Sequence, residues 1–553
     1  MLFKTKIPSR RQVLQIILLL FVIVGCFGGV AWQQRQKHAV PVLSDRYDVI
    51  VVGAGPGGIA ASLQAARMGA HVALLEETDW IGGQMTAAAV GTMDEGNNRE
   101  ARKSGIYAEF AKAVIEYYGA RGHSTGTCYY YQGSLCVDPR DGQHILQNML
   151  KNESQNLTVL TGVRVSSVIK HDQTVVGVVV NGKQLQSKVL IDAGEYGDVI
   201  AKSGAAYRIG NQVSTSQNDR AGCLQAITYS AVVKYYPNRV PSSLQFTKAP
   251  PGYTAATKKR FASILSPQGT NYLQTKKRPS TYQSYTAWRG LPDLSNHTDY
   301  TVLQQGQDIT RSSLNLGNDW PPNGKVPPDF ITDPTARKRY TCEAKKMTLQ
   351  LLYYIQHDLG QSHWALADDE GYSTAYNRSH HCPSLANFVQ MENQMPQMPY
   401  VREGRRIIGE QTLTGTDLNR PWTATNPMPQ YNNSIAVGYY MMDLHGCNSP
   451  ASLESNLDPA QLLTNKPRSG PFEVPMGVLI PQQVDGLLAA EKNISVSRLA
   501  GGAIREQPIA MNIGQAAGAL AALATQRHEQ PRDVPAALVR SALTKSGAVI
   551  SVQ

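Results

Sequence analysis

The stretch Tyr47-Asp-Val-Ile-Val-Val-Gly53-Ala-Gly55-Pro-Gly57-Gly58, with Glu76 closing the next apolar run, decides the fold. Val49 to Val52 is unbroken β-branched sequence, the pattern of a parallel strand buried on both faces. Ile59 to Met68 has helix-forming composition, and Val72 to Leu75 reads as a second buried strand. That strand ends on Glu76, about 20 residues past the glycines, the spacing of a dinucleotide site. Gly53 permits the tight turn, and Gly55 lets a pyrophosphate reach the backbone. Gly57 stands beside them at the helix start, and Gly58 lets helix and strand pack closely. The helix N-terminus supplies amide donors and partial positive charge to phosphates, while Glu76 accepts hydrogen bonds from ribose hydroxyls.

Downstream motifs choose the dinucleotide. Trp80-Ile-Gly82-Gly83-Gln-Met-Thr86 follows the acid, and a three-stranded excursion from Thr158 to Lys188 leads into Val189-Leu-Ile-Asp192-Ala-Gly194-Glu-Tyr-Gly197-Asp198. Near the C-terminus come Gly486-Leu-Leu-Ala-Ala-Glu-Lys-Asn, then Gly501-Gly-Ala-Ile-Arg505, then Met511-Asn-Ile-Gly514-Gln515. Together these resemble FAD-dependent oxidoreductases of the glutathione-reductase-like FAD/NAD(P)-binding fold. The nearest likeness is to the heterodisulfide reductase A-like group without its iron–sulfur ligands, since no C-x-x-C occurs among the seven cysteines. The family more often shows Asp-Ala-Thr-Gly after its returning strand; here the Thr is absent.

The resemblance implies FAD as cofactor and an α/β fold: a Rossmann-like, three-layer FAD-binding domain with an inserted α+β substrate or cap domain. Expected boundaries are 1–31 for an N-terminal signal or anchor, 45–205 and 470–545 for the two parts of the FAD domain, and 206–440 for the insertion. Implied cofactor contacts are Gly53, Gly55, Gly57, Gly58, Glu76, Gly82, Gly83, Thr86, Asp192, Gly194, Asp198, Arg505 and Gln515. The last helix should aim its N-terminus at the flavin, where it would stabilise the negative charge of the reduced ring.

Catalytic candidates come from the insertion, which is rich in Tyr, Gln, Asn and Pro. Trp288 and Arg289 lie in one family-like signature, Arg402 and Arg405 in another. Dense Arg and Glu there suit an anionic substrate or a developing charge, and equally suit an ion-pair cluster at a domain seam. His380, His381 and His445 are acid/base candidates. A helix is expected over Ala336 to Gly360. Cys128 with Cys136, and Cys342 with Cys382, would pair in an oxidising compartment.

The first residues address location. Ser9-Arg10-Arg11-Gln12-Val13-Leu14-Gln15 resembles a twin-arginine export signal ahead of the uncharged run Ile16 to Val24. Three readings stay open: a cleaved signal, an anchor retained over residues 16–32, or a lipoprotein site at Cys26. Each places the protein in the periplasm or on the outer membrane face. Net charge is +11; four of those charges, Lys4, Lys6, Arg10 and Arg11, lie in residues 1–31, leaving +7 for the rest. That charge is dispersed, without the basic run or zinc spacing of a nucleic-acid binder, and no metal site is expected. The expected partners are a small-molecule substrate and an unidentified electron acceptor. The function read from all this is hydride removal from the substrate onto flavin N5. A flavin-dependent monooxygenase and a non-catalytic FAD-binding assembly partner are the alternatives.

Overall fold

A computed structural model describes residues 45–95, 100–123, 125, 135–210, 222–265, 289–295, 310–418, 430–447 and 471–552. All of them belong to one unit, Asp45–Gln553. The N-terminal signal or anchor, Cys128 and Trp288 lie outside the described residues.

The sheet that positions the site is built from β1 (Arg46–Val52), β2 (Val72–Leu75), β3 (Leu157–Leu160), β4 (Val165–His171), β5 (Thr174–Val180) and β6 (Lys183–Asp192). Their spatial order is β3-β2-β1-β6-β5-β4. Strands β3, β2, β1 and β6 run parallel, whereas β4, β5 and β6 pair antiparallel. Val49, Ile50 and Val51 are fully buried in β1, as their β-branched run requires.

Two details differ from the sequence reading. Thr158 to Leu160 belongs to the parallel sheet, paired with β2, so the excursion begins only at β4. Strand β6 serves both halves: its first residues pair with β5, and its last with β10 (Leu487–Ala489), which brings the C-terminal motif beside Asp192. The return from the excursion and the closing segment thus meet on one strand.

Helix α1 (Pro56–Arg67) starts directly from the glycine loop, with Gly55 as N-cap and Pro56 at its first position. Against it packs the long helix α4 (Gln507–Arg527), which follows α3 (Arg498–Ile504). The packing is backbone to backbone. A Cβ on Gly514 would stand 2.0 Å from the Gly57 carbonyl oxygen, and one on Gly518 would stand 2.2 Å from that of Ala61. The small residues of the C-terminal helix therefore determine how closely it approaches the dinucleotide turn.

The insertion has a sheet of its own, β8-β7-β9, made of β7 (Ala231–Tyr235), β8 (Arg311–Leu314) and β9 (Trp364–Leu366), all antiparallel. Its main helix, α2 (Pro334–Tyr353), begins two residues before the expected start. Pro334 fits the first turn, and the Asp333 carboxylate accepts from the Thr335 amide. The fold is α/β, a Rossmann-like domain carrying a cap.

Candidate functional site

The turn after β1 is held by close backbone contacts. Gly53 has φ +98°, and a Cβ there would lie 2.3 Å from the Ala193 carbonyl oxygen; on Gly58 it would lie 1.8 Å from that of Gly53. Only glycine meets both demands. The doublet then closes over the turn. Gly82 and Gly83 both have positive φ, the Gly82 amide donates to the Ala54 oxygen at 2.7 Å, and a Gly83 Cβ would come within 2.7 Å of the Gly55 Cα. The Thr86 hydroxyl donates to the Ile81 carbonyl and so shapes the doublet from behind.

Glu76 ends β2 with both oxygens engaged. Oε2 accepts from the Ala54 amide at 2.8 Å, and Oε1 accepts from the Thr78 amide and hydroxyl at 2.8 Å each. Burial pushes its carboxyl up to about 7, against these hydrogen bonds and with help from the nearby Glu195. Asp192, at the end of β6, accepts from the Gly194 and Ile200 amides and from the Asn493 side chain. Burial raises it to about 6 despite those donors. Its role in the geometry is to clamp the Gly194 turn and the start of the helix Asp198–Ser203.

Gly53, Gly55, Glu76, Gly83, Asp192, Gly194 and Asp198 line one cavity of about 260 Å³. The insertion supplies the opposite wall, including Arg337, Tyr376 and Met398, together with the disulfide Cys342–Cys382. That disulfide is the one expected from sequence; Cys223–Cys447 also forms and was not anticipated. Cys136 is disulfide-bonded as well. The glycine cradle, the free approach at Gly55, the helix start and the buried acid fit a dinucleotide diphosphate and its ribose.

Sequence reasoning missed two residues here. Glu491 Oε1 accepts from the Gly57 amide at 2.6 Å, and Lys492 pairs with Glu195 at 2.5 Å. The only sequence signal was an acid ending the apolar run Leu487 to Ala490.

The candidate arginines are placed differently from the reading that aimed them at substrate or flavin. Arg402 donates to the Ala226 carbonyl at 2.7 Å and the Thr228 hydroxyl at 3.0 Å, and pairs with Asp319. Arg405 donates to the carbonyls of Tyr196 and Ile331, and pairs with Asp198 at 2.6 Å. Arg337 reaches the same Asp198 at 2.8 Å and lies over the Tyr196 ring. Burial opposes ionisation of Asp198, but Arg337 and then Arg405 hold its carboxyl well below the usual range. These cations pin the cap to the FAD domain.

Arg505 donates to the Tyr400 hydroxyl and pairs with Asp443 and Glu506. Gln515 bonds Gln64 and the Ile106 amide. Neither lines the cavity, and nor do Arg402 and Arg405. The physical reason is shared: a buried guanidinium or amide takes the carbonyls and carboxylates nearest to it. Gly57, Gly58, Gly82 and Thr86 shape the turn from outside the cavity wall. Arg289 lies beside the bridge between Gly290 and Ser312, its carbonyl accepting from the Ser312 hydroxyl. Of the histidines, His380 lines the cavity, His381 bonds Asn393, and His445 sits between Asp319 at 2.9 Å and Asp443 at 3.0 Å.

The family model for FAD dependent oxidoreductases matches residues 48–543, and the chain belongs to that family. It is an FAD-dependent oxidoreductase. Among curated proteins it is similar to an opine oxidase subunit of Agrobacterium tumefaciens (strain Ach5), 54% identical over 51 residues, 9% of this chain and 10% of that one. It is similar also to protein FixC of Salmonella typhi, 29% identical over 178 residues, 30% of this chain and 40% of FixC. With the urocanate reductase of Eggerthella lenta it shares 43% identity over 79 residues, 14% and 13% of the two chains. The chain thus spans at most two fifths of the length of these relatives. Among solved structures, a triple mutant of the flavin-dependent brominase Bmp2 aligns over 90% of this chain and 84% of its own, at 13% identity and a TM-score of 0.35.

Proposed function

We propose that the protein is an exported oxidoreductase that removes a hydride equivalent from a small-molecule substrate and passes the electrons to a separate acceptor. The observation that carries this reading is the shared cavity: the dinucleotide turn forms one wall and the cap the other. When bound, FAD supplies the hydride-accepting ring. The chain's own residues hold it: the β1–α1 turn and the start of α1 take the diphosphate, Glu76 takes the ribose hydroxyls, and the Gly82-Gly83 doublet covers the turn. The buried pairs of Asp198 with Arg337 and Arg405 fix the cap over this wall and keep water from the interior.

Export is supported by the disulfides Cys223–Cys447 and Cys342–Cys382, which persist in oxidising compartments. The N-terminal twin-arginine pattern agrees with that, because its route carries proteins already folded around a cofactor. Among the described residues no helix is long and apolar enough to cross a membrane, so any membrane attachment is assigned to residues 16–32 or to a lipidated Cys26. By its motifs we place the chain beside the heterodisulfide reductase A-like group. The test is anaerobic: a panel of small organic substrates is added to the yellow protein and bleaching of the flavin band is followed. Bleaching by one class, without a nicotinamide donor, supports the proposal. Reduction only by NADH or NADPH followed by oxygen consumption would favour a monooxygenase, and no reduction by any donor would favour a non-catalytic partner.

A further inference from the structure

The residue that sequence reasoning missed has an unusual position. Glu491 is 1% exposed and stands in the left-handed region, at φ +56°. Its neighbours hold it there. Lys492 is tied to Glu195 across the turn, and the Asn493 side chain donates to the Gly194 carbonyl at 2.6 Å. The carboxylate is thereby directed at the first turn of α1, where Oε1 accepts from the Gly57 amide at 2.6 Å. The same oxygen lies 2.6 Å from where a Gly55 Cβ would be, the open side of the turn. Oε2 is buried and accepts no hydrogen bond from the described residues.

This is the place a diphosphate must take. The amides at a helix start are the donors that make the glycine turn an anion site, and here one of them is already engaged by an anion of the chain itself. A phosphate oxygen and a carboxylate oxygen cannot accept the same proton at hydrogen-bond distance, and two anions so close repel strongly away from water. We propose that Glu491 is a proton-operated gate on the diphosphate cradle, so that FAD is bound with uptake of one proton by this carboxyl and is held more weakly as pH rises. Protonated, Glu491 gives up the Gly57 amide and offers its own O–H to a phosphate oxygen. No electrons move in this step; one proton passes from solvent to the carboxylate.

The surroundings place the transition in a useful range. Burial raises the Glu491 carboxyl to about 7, with Lys492 opposing, Glu195 adding to the rise and the Gly57 bond opposing. Facing the same turn, Glu76 projects from β2 and Asp192 from β6, while Glu195 and Lys492 form their own pair. Glu76 acts with the opposite sign, since it accepts from ribose hydroxyls as the carboxylate. The wild-type pH profile therefore mixes two effects, and a comparison with Glu491→Gln isolates one of them. The diphosphate keeps its charge across neutral pH, so it does not contribute.

The experiment follows release of FAD from the holoprotein by recovery of flavin fluorescence, at pH 6, 7 and 8, for wild type and Glu491→Gln. Glu491→Ala serves as a second variant should the Gln form fail to fold. The inference rests on the FAD assignment. The ratio of wild-type to variant dissociation constants is expected to start near its low-pH limit at pH 6 and to rise about tenfold by pH 8. A ratio that is flat, or that falls with pH, overturns the gate while FAD binding itself stands. A chain that holds no FAD at any pH overturns the gate and the cofactor site together.

Discussion

The dinucleotide turn and the cap seam keep their geometry by opposite means. At the turn, glycines and backbone do the work: Gly53, Gly58, Gly514 and Gly518 each sit where a single extra carbon would strike a carbonyl. At the seam, buried charges do it: Asp198 holds Arg337 and Arg405, and Asp319 holds Arg402 and His445. The first kind of site is intolerant of volume, the second of unbalanced charge. Such a division suits an enzyme whose cofactor cradle is shared across a family while its cap adapts to a substrate.

The comparison breaks most visibly at the turn. Gly58→Val should leave no folded flavoprotein, because its Cβ would stand 1.8 Å from the Gly53 carbonyl oxygen with backbone on both sides. A loss above about 4 kcal/mol is expected, read as absence of soluble, yellow protein. Normal yield would show that the turn has room the structure denies it.

At the seam the effect should be smaller but still large. Asp198→Asn leaves two buried guanidiniums without their anion, a change worth about 3 kcal/mol, measurable as a lower denaturant midpoint at pH 7. Its pH dependence has a definite sign. The Asp198 carboxyl is depressed in the folded protein, so its contribution is complete above the unfolded value of about 3.9 and is lost as pH falls through the lower folded value. Wild type and Asp198→Asn should therefore converge in acid. Curves that stay parallel down to acid unfolding would assign Asp198 no special pairing.

A second buried acid sharpens the contrast with the opposite sign. Glu370 is raised to about 8 by burial and by Asp138, against the pull of Arg311. An acid raised on folding costs stability progressively as pH climbs from its unfolded value, about 4.3, toward the folded one. Glu370→Gln should flatten the decline of stability between those limits, as followed by unfolding midpoints at several pH values. An unchanged slope would assign the decline to other groups. The smallest effect belongs to neither region: Lys103 pairs with Glu100 at the surface, and Lys103→Ala should shift stability by less than about 0.5 kcal/mol.

What was legible in the sequence follows from the same division. The turn could be read because its parts are contiguous: strand, glycines, helix, strand and Glu76 lie within Arg46 to Glu76, and their spacing alone encodes the chemistry. The seam could not, since Asp198 meets Arg337 and Arg405 across 139 and 207 residues. Glu491 meets Gly57 across 434 residues, and Cys223 meets Cys447 across 224. Arg402 and Arg405 looked like substrate ligands because clustered arginines resemble an anion site in one dimension. Only the fold shows that Ala226, Tyr196, Ile331, Asp319 and Asp198 already occupy their donors. The Cys342–Cys382 pair was within reach because its cysteines lie 40 residues apart on neighbouring segments of the cap.

The central claim is that FAD is held by the turn between β1 and α1, and Gly55 tests it most directly. Its φ is −68°, a conformation open to any residue, and a Cβ there meets only the movable end of Glu491. Gly55→Val should therefore fold while closing the approach to the diphosphate. The measurement is the flavin-to-protein absorbance ratio of the purified variant beside wild type. We expect one FAD per chain in wild type and essentially none in a Gly55→Val protein whose circular dichroism is unchanged; full FAD content in that folded variant would contradict the account.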